Sequence, residues 1–269
     1  VGMIQTVSER FVELEEWKSL FPSLTALFST KNGGTGKGAY QSLNTGLHVH
    51  DDVQTVIQNR RLLAEAEGTD LNSWIFADQV HGKRVVRVNR HHAGMGAESY
   101  DKSVRAADGL WTFDTEIRLS LGFADCVPIY FVEQDTGFIG LAHAGWKGSV
   151  ANIGAEMISQ ARDAGVRPEK ISVLIGPSIG VCCYIVDDYV INHITQPGMD
   201  HVYQEVSDGQ YKLDLPLYNK QLLVQAGVKE ENIILSDLCT SCEDTMFFSH
   251  RRDQGKTGRM SAVIGWKER

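Results

Sequence analysis

The sequence predicts an α+β domain in which mixed sheets pack against helices. Strand-like apolar runs follow one another closely from residue 74 to residue 143. Helix-like segments stand before and after that block, where a βα barrel would alternate them regularly with strands. The chain carries no low-complexity linker, Pro/Ser-rich hinge or fixed-period repeat, so residues 1–269 read as one domain.

The elements follow in order. An amphipathic pattern occupies 7–19 and a strand 25–30. Asp51 or Asp52 is placed to cap a helix running to about Glu67, its carboxylate accepting a first-turn backbone N–H. Strands are expected at 74–80, 84–89, 108–113, 117–123, 127–133 and 138–143. Ala, Ile and Met then recur at helical spacing over 148–164. Residues 171–176 read as a short buried strand, and Asp187 or Asp188 opens a helix to about Ile194. Asp214 caps a helix over 215–226, with Pro216 in the first turn, where its missing N–H costs little. M-S-A-V-I-G-W (260–266) is nearly continuous in apolar residues, as a central strand buried on both faces is.

A hydrophobic content of 42% with 22% charged residues describes a globular chain with ample core. A net charge of −8 argues against wholesale binding to nucleic acid or anionic membrane. No apolar run reaches the ~18 residues of a membrane span. The opening V-G-M-I-Q-T lacks the basic region and apolar stretch of a secretory leader. Five cysteines, two of them adjacent, make a poor disulfide framework and suit a reducing cytoplasm.

Chemistry concentrates in three segments, each reading as a strand that ends in a turn. They place His81 in D-Q-V-H-G (78–82), Cys126 in G-F-A-D-C-V-P (122–128) and His143 in G-L-A-H-A-G-W-K-G (140–148). Two imidazoles and a thiolate form a three-ligand set with a fourth position left open, as catalytic zinc sites have. On the spacings alone a small core cysteine and two hydrogen-bonded histidines are the better reading. The same donors also suit blue copper. Blue-copper proteins cluster their ligands in one short loop, whereas a whole hairpin separates Cys126 from His143. If a metal is held there, zinc is the better assignment, with copper able to substitute. Asp125, beside Cys126, is a candidate for moving protons, and a strand pleat would send the two side chains to opposite faces.

A basic stretch supplies His250, Arg251, Arg252, Lys256 and Arg259, interleaved with Gly255 and Gly258. Arginine forks and close-approaching backbone N–H groups could cradle phosphate, with Arg259 and Arg252 favoured; a solvated basic turn is the plain alternative. K-N-G-G-T-G-K-G (31–38) matches no nucleotide-triphosphate loop and reads as a turn feeding Asn44 toward a pocket. Gln79 lies two residues from His81, able to face a sugar or base or to satisfy backbone. Asn59-Arg60 suggests a structural ion pair within a helix. Cys239 and Cys242 form C-T-S-C without a second C-x-x-C, so these cysteines read as structural and a four-cysteine zinc site is not expected. His48-x-His50 and His91-His92 do not supply the several H-x-H pairs of a multicopper oxidase.

Q-V-H-G (79–82), A-D-G-L (107–110), A-D-C-V-P (124–128), A-H-A-G-W-K-G (142–148), G-P-S-I-G-V-C-C-Y (176–184), D-L-C-T (237–240) and F-F-S-H-R-R-D-Q-G-K-T-G-R-M (247–260) occur in family order. With F-S-T-K-N-G-G (28–34) and S-L-N (42–44), the chain closely resembles the YfiH/YlmD family of laccase-domain proteins, often labelled polyphenol oxidases. The resemblance implies a four-layer α/β/β/α sandwich with mixed sheets, shared with a family of putative cysteine hydrolases. It also implies a purine nucleoside phosphorylase that deaminates adenosine, with zinc on the residues matching His81, Cys126 and His143. The expected partners are then purine nucleosides (adenosine, inosine, methylthioadenosine) and inorganic phosphate. Two positions depart from the family pattern: Lys31 stands where Arg is common, and His250 where an aromatic is common. Lys31 keeps the charge that would face substrate or phosphate but loses the fork. The alternatives are a hydrolase with Cys126 as nucleophile and His143 as base, a copper-dependent phenol oxidase, and a non-catalytic binding module.

Overall fold

A computed structural model describes residues 4–267. In chain order its elements are β1 (Ile4–Ser8), β2 (Phe11–Leu14), α1 (Glu15–Leu20), β3 (Leu24–Ser29), α2 (Val53–Glu67), β4 (Trp74–Phe76), β5 (Val85–Arg87), β6 (Gly109–Thr112), β7 (Arg118–Phe123), β8 (Val127–Glu133), β9 (Phe138–Ala144), α3 (Trp146–Val150) and α4 (Ile153–Asp163). There follow β10 (Ser172–Ile175), β11 (Ile185–Asp187), α5 (Asp188–Ile191), β12 (Tyr203–Ser207), β13 (Gln210–Leu213), α6 (Leu215–Gln225), β14 (Ile233–Leu235) and β15 (Met260–Trp266).

Two six-stranded mixed sheets form the centre, ordered β1-β2-β3-β15-β7-β4 and β14-β10-β8-β9-β6-β5. Period-2 alternation explains how each sheet buries both faces. In β9, Ile139 and Leu141 enter the core between the sheets, while Phe138, Ala142 and Ala144 face α4 and α6 on the far side. In β15, Ala262 and Ile264 point between the sheets, and Val263 points outward with Trp74 and Phe76 against Leu63 and Ala64 of α2. The layers are therefore α2, first sheet, second sheet, α4 with α6: a four-layer α/β/β/α sandwich. His143 belongs to the set of β9 residues that face between the sheets, one residue from the strand's end.

The helix caps fall where expected. Asp52 accepts Thr55 N–H at 2.8 Å and Asp214 accepts Leu217 N–H at 2.9 Å. Elsewhere the structure departs from expectation for local reasons. The pattern at 7–19 is a strand end, a strand and a short helix, because Phe11 and Val12 are neighbours buried in different cores, as alternating strand residues are. The helix expected at 148–164 breaks at Asn152, whose left-handed backbone (φ +61) ends α3 while its side chain caps α4 through Ala155 N–H. The strand expected at 74–80 stops at Phe76, and the Gln79 amide replaces backbone pairing by bonding both N–H and C=O of Gly122 on β7. Among the described residues Arg60 has no carboxylate partner: it donates to the carbonyls of Thr45, Gly96 and Ala97 and lies 3.8 Å from the Phe76 ring centre. Beside it, Asn59 bonds Thr35 N–H and the Ser42 and Asn44 carbonyls, fixing the 31–45 loop. The small sheet β11-β13-β12 has no counterpart in the expected elements, its strands being short and largely exposed.

Candidate metal centre and its cavity

Three connections bring the metal-type donors together at one end of the two sheets. His81 lies in the loop after β4 with φ +60, Cys126 in the β7–β8 turn, and His143 near the end of β9. Their donor atoms all lie within 4.8 Å of one another, and the two imidazole rings meet edge-on with centres 4.9 Å apart. Gly145 makes this approach possible: a Cβ there would sit 2.9 Å from Cys126 Sγ. Three segments remote in sequence thus converge, as expected.

Asp108, which opens into β6, organises the centre. Its carboxylate accepts the backbone N–H groups of Val80, His81 and Gly82 at 3.2, 2.9 and 2.8 Å, holding the His81 turn in its left-handed conformation. It also meets His143 Nδ1 at 3.0 Å. That contact directs Nε2 of His143 toward Cys126 and His81, the arrangement by which an outer carboxylate orients a metal-ligating histidine. Sequence reasoning singled out A-D-G-L only as a motif; an acid followed by glycine beside a strand start was the available signal.

The electrostatics of the three donors are strongly coupled. Burial pushes the Cys126 thiol up, but the charge of His143 and hydrogen bonds from both imidazoles outweigh it and bring the thiol to about 6. Burial lowers His143, yet the Cys126 charge and the Asp108 contact raise it to about 9. Near neutral pH the pair is thiolate and imidazolium. A thiolate and two imidazoles, one with its tautomer set from outside, fit a soft or borderline divalent ion that displaces the His143 proton.

The centre opens into a cavity of about 720 Å³ lined by His48, Gln79, Trp146, Lys147, Tyr184, His250, Arg251 and Arg259 among others. The small sheet supplies a wall through Ile185, Val186, Asp187 and Gln210. Burial, followed by the charges of Arg259 and Arg60, lowers His48 to about 4, so this imidazole is neutral at pH 7. Arg259 is fixed by its backbone N–H donating to Asn44 Oδ1 (2.9 Å) and by Nη1 donating to the Thr257 and Gly258 carbonyls. Its Nε and Nη2 have no protein acceptor among the described residues. Gly46 lets this side chain pass, since a Cβ there would lie 2.8 Å from Arg259 Cγ.

Several expected contacts fall elsewhere. Asn44 is fully buried: besides accepting from Gly46 and Arg259 it donates to Asp51, so it positions Arg259 and does not line the cavity. Arg252 spends its five N–H donors on Asp253 and on the carbonyls of Thr240, Ser241 and Phe247. It lines a separate cavity with Lys31 and Lys256, one sharing no residue with the first. Asp125, placed for proton transfer by sequence reasoning, does line the metal cavity, with its carboxylate accepting from Thr240 Oγ1, Ser249 Oγ and Arg251 N–H at 2.7, 3.0 and 2.7 Å. With φ +84 it turns into the 239–251 loop and anchors it. Gln79 faces the cavity while its amide is engaged with Gly122. Residues 182, 183, 239 and 242 also depart from expectation: their four sulfurs lie within 4.8 Å of one another.

Residues 25–267 match the family model of the multi-copper polyphenol oxidoreductase laccases. The chain belongs to that family. It is 46% identical over 244 residues to the Bacillus subtilis protein named purine nucleoside phosphorylase YlmD, covering 90% of this chain and 88% of that one. The crystal structure of YlmD from Geobacillus stearothermophilus superposes with a TM-score of 0.96 at 42% identity, covering 100% of both chains. A protein named adenosine deaminase RL5, from an unknown prokaryotic organism, is 32% identical over 236 residues, 86% of this chain and 90% of its own. Among the described residues no helix is long and apolar enough to cross a membrane.

Proposed function

We propose that the chain is a zinc-dependent purine nucleoside phosphorylase, acting on adenosine, inosine and related nucleosides, that also deaminates adenosine. The observation that carries this is the meeting of His81, Cys126 and His143 in a cavity that Arg259 also lines. The names of the YlmD relatives support phosphorolysis, and that of RL5 supports deamination. His81, Cys126 and His143 would hold the ion, which when bound supplies a positive charge and an open coordination position.

The remaining roles follow from the side chains. The Nε–Nη2 edge of Arg259 offers two parallel donors, the geometry that grips a phosphate through two oxygens. Held at C1′ of the ribose, that phosphate displaces the purine: a C–O bond forms as the C–N bond breaks, giving ribose 1-phosphate and a base that takes up a proton. Trp146 and Tyr184 offer aromatic surface to the base, and neutral His48 can bond a ribose hydroxyl. Deamination replaces the 6-amino group by oxygen from water and releases ammonia. The two reactions attack opposite ends of a nucleoside, so they require two binding orientations. Chromatography of products from adenosine and inosine, with and without phosphate, tests the reading: ribose 1-phosphate must depend on phosphate, and inosine formed from adenosine must not. Unchanged nucleosides after zinc loading would overturn it.

One observation favours a second reading. Cys126, His143 and Asp108 are arranged as nucleophile, base and orienting acid, and the thiol is already ionised near pH 7. A cysteine hydrolase has no evident use for His81 as a second imidazole on that thiolate, whereas a metal site does. Activity that survives chelation but not alkylation of Cys126 would select the hydrolase.

A further inference from the structure

We propose that Cys182, Cys183, Cys239 and Cys242 form a second metal centre, a closed tetrathiolate site for one zinc ion that clamps together two loops walling the cavity. The two pairs come from segments about sixty positions apart in the chain. Cys183 and Tyr184 N–H groups both donate to the Gly180 carbonyl, curling the first segment so that two adjacent thiols face one side. The parallel bridge between Ser178 and Cys239 brings the second segment alongside.

The spacing of the sulfurs suits an ion better than a disulfide. Cys242 Sγ lies 3.5 Å from Cys182 Sγ and 3.4 Å from Cys183 Sγ, and all four sulfurs fall within 4.8 Å. A disulfide needs about 2.05 Å. Four sulfurs at ~2.3 Å from a tetrahedral zinc stand about 3.8 Å apart, within the range found here. Cys239 Sγ accepts the Gly180 N–H at 3.2 Å. A donor aimed at sulfur suits a thiolate, the form that binds metal. The Arg252 guanidinium, itself paired with Asp253, braces the C-T-S-C turn by bonding the Thr240 and Ser241 carbonyls. Zinc entering this group displaces the remaining thiol protons into solvent and forms four Zn–S bonds, with no change of oxidation state. Four sulfurs leave no open position, which assigns the ion to structure and not to catalysis.

What it would hold is specific. The first segment passes Ile179, whose N–H donates to the Asp125 carbonyl, and continues to Tyr184 and Ile185 on the cavity wall. The second carries Thr240, which donates to the Asp125 carboxylate. Both therefore meet at the residue preceding Cys126.

A triple variant, His81→Ala with Cys126→Ala and His143→Ala, isolates the second group. Purified under reducing conditions and supplied with zinc, it is expected to retain one zinc per chain by elemental analysis, where the unaltered chain retains two. Adding Cys239→Ser and Cys242→Ser should reduce this to none. Cobalt(II) in the triple variant should give intense thiolate-to-metal absorption. Because the added serines could impair folding, a second measurement uses the triple variant alone: its four thiols should resist a chromogenic disulfide reagent until a chelator is added. Failure to retain zinc with all four thiols immediately reactive, or a disulfide among them in freshly reduced protein, would overturn the proposal.

Discussion

Two cavities flank the 250–259 loop, and they show how differently neighbouring arginines can be used. Arg252, on the cavity with Lys31 and Lys256, has every N–H donor spent inside the protein. Arg259, on the cavity with His81, Cys126 and His143, is anchored by its backbone and Nη1, and its Nε–Nη2 edge has no acceptor among the described residues. A basic run in a sequence is therefore not one cradle. What decides an anion site is the count of donors left over after the fold has taken its share.

The largest effect that separates the two cavities should come from the metal donors. Single changes His81→Ala, Cys126→Ala and His143→Ala should each reduce nucleoside turnover to the blank rate while circular dichroism remains unchanged. Asp108→Asn keeps the shape but weakens the hold on the His81 turn and the His143 tautomer; activity or zinc affinity should fall about 10- to 100-fold. Arg259→Ala removes a charge-assisted pair worth about 1.5–3 kcal/mol, so the phosphate KM should rise roughly 10- to 100-fold. Deamination should change much less, and an equal loss of both activities would contradict the assigned role.

In chelated protein, Cys126 alkylation followed by peptide mass analysis should show a midpoint near pH 6 instead of the ordinary 9.0. The sign follows from a depressed folded value: the thiolate's contribution to stability is fully present above 9.0 and is lost as pH falls through about 6. His143→Gln should move that midpoint upward. The smallest effect is expected from the other cavity, where Lys256→Ala should alter kcat/KM by no more than about twofold.

The fold was legible in the sequence where one element dominates its own burial. The apolar runs of β8, β9 and β15, and the carboxylate caps Asp52 and Asp214, announce themselves because strand alternation and capping are local. The small sheet was not legible, because strands with little buried apolar surface carry no clear periodicity. The same distinction holds in the site. His81, Cys126 and His143 stand out as residue types beside turns, but Asp108 acts through a tertiary contact that no spacing reveals. Asn44 and Arg252 read as ligand contacts because their chemistry suits ligands; the fold consumes that chemistry first. The convergence of the four cysteines depends on a bridge between Ser178 and Cys239, again invisible in the chain.

The central claim is best tested by crystals of active protein measured with X-rays above and below the zinc absorption edge. An anomalous peak bonded to His81, Cys126 and His143, at about 2.0–2.3 Å from each donor atom and separate from any at the four cysteines, is the predicted result. Fully active crystals with no metal peak among those three side chains would contradict it.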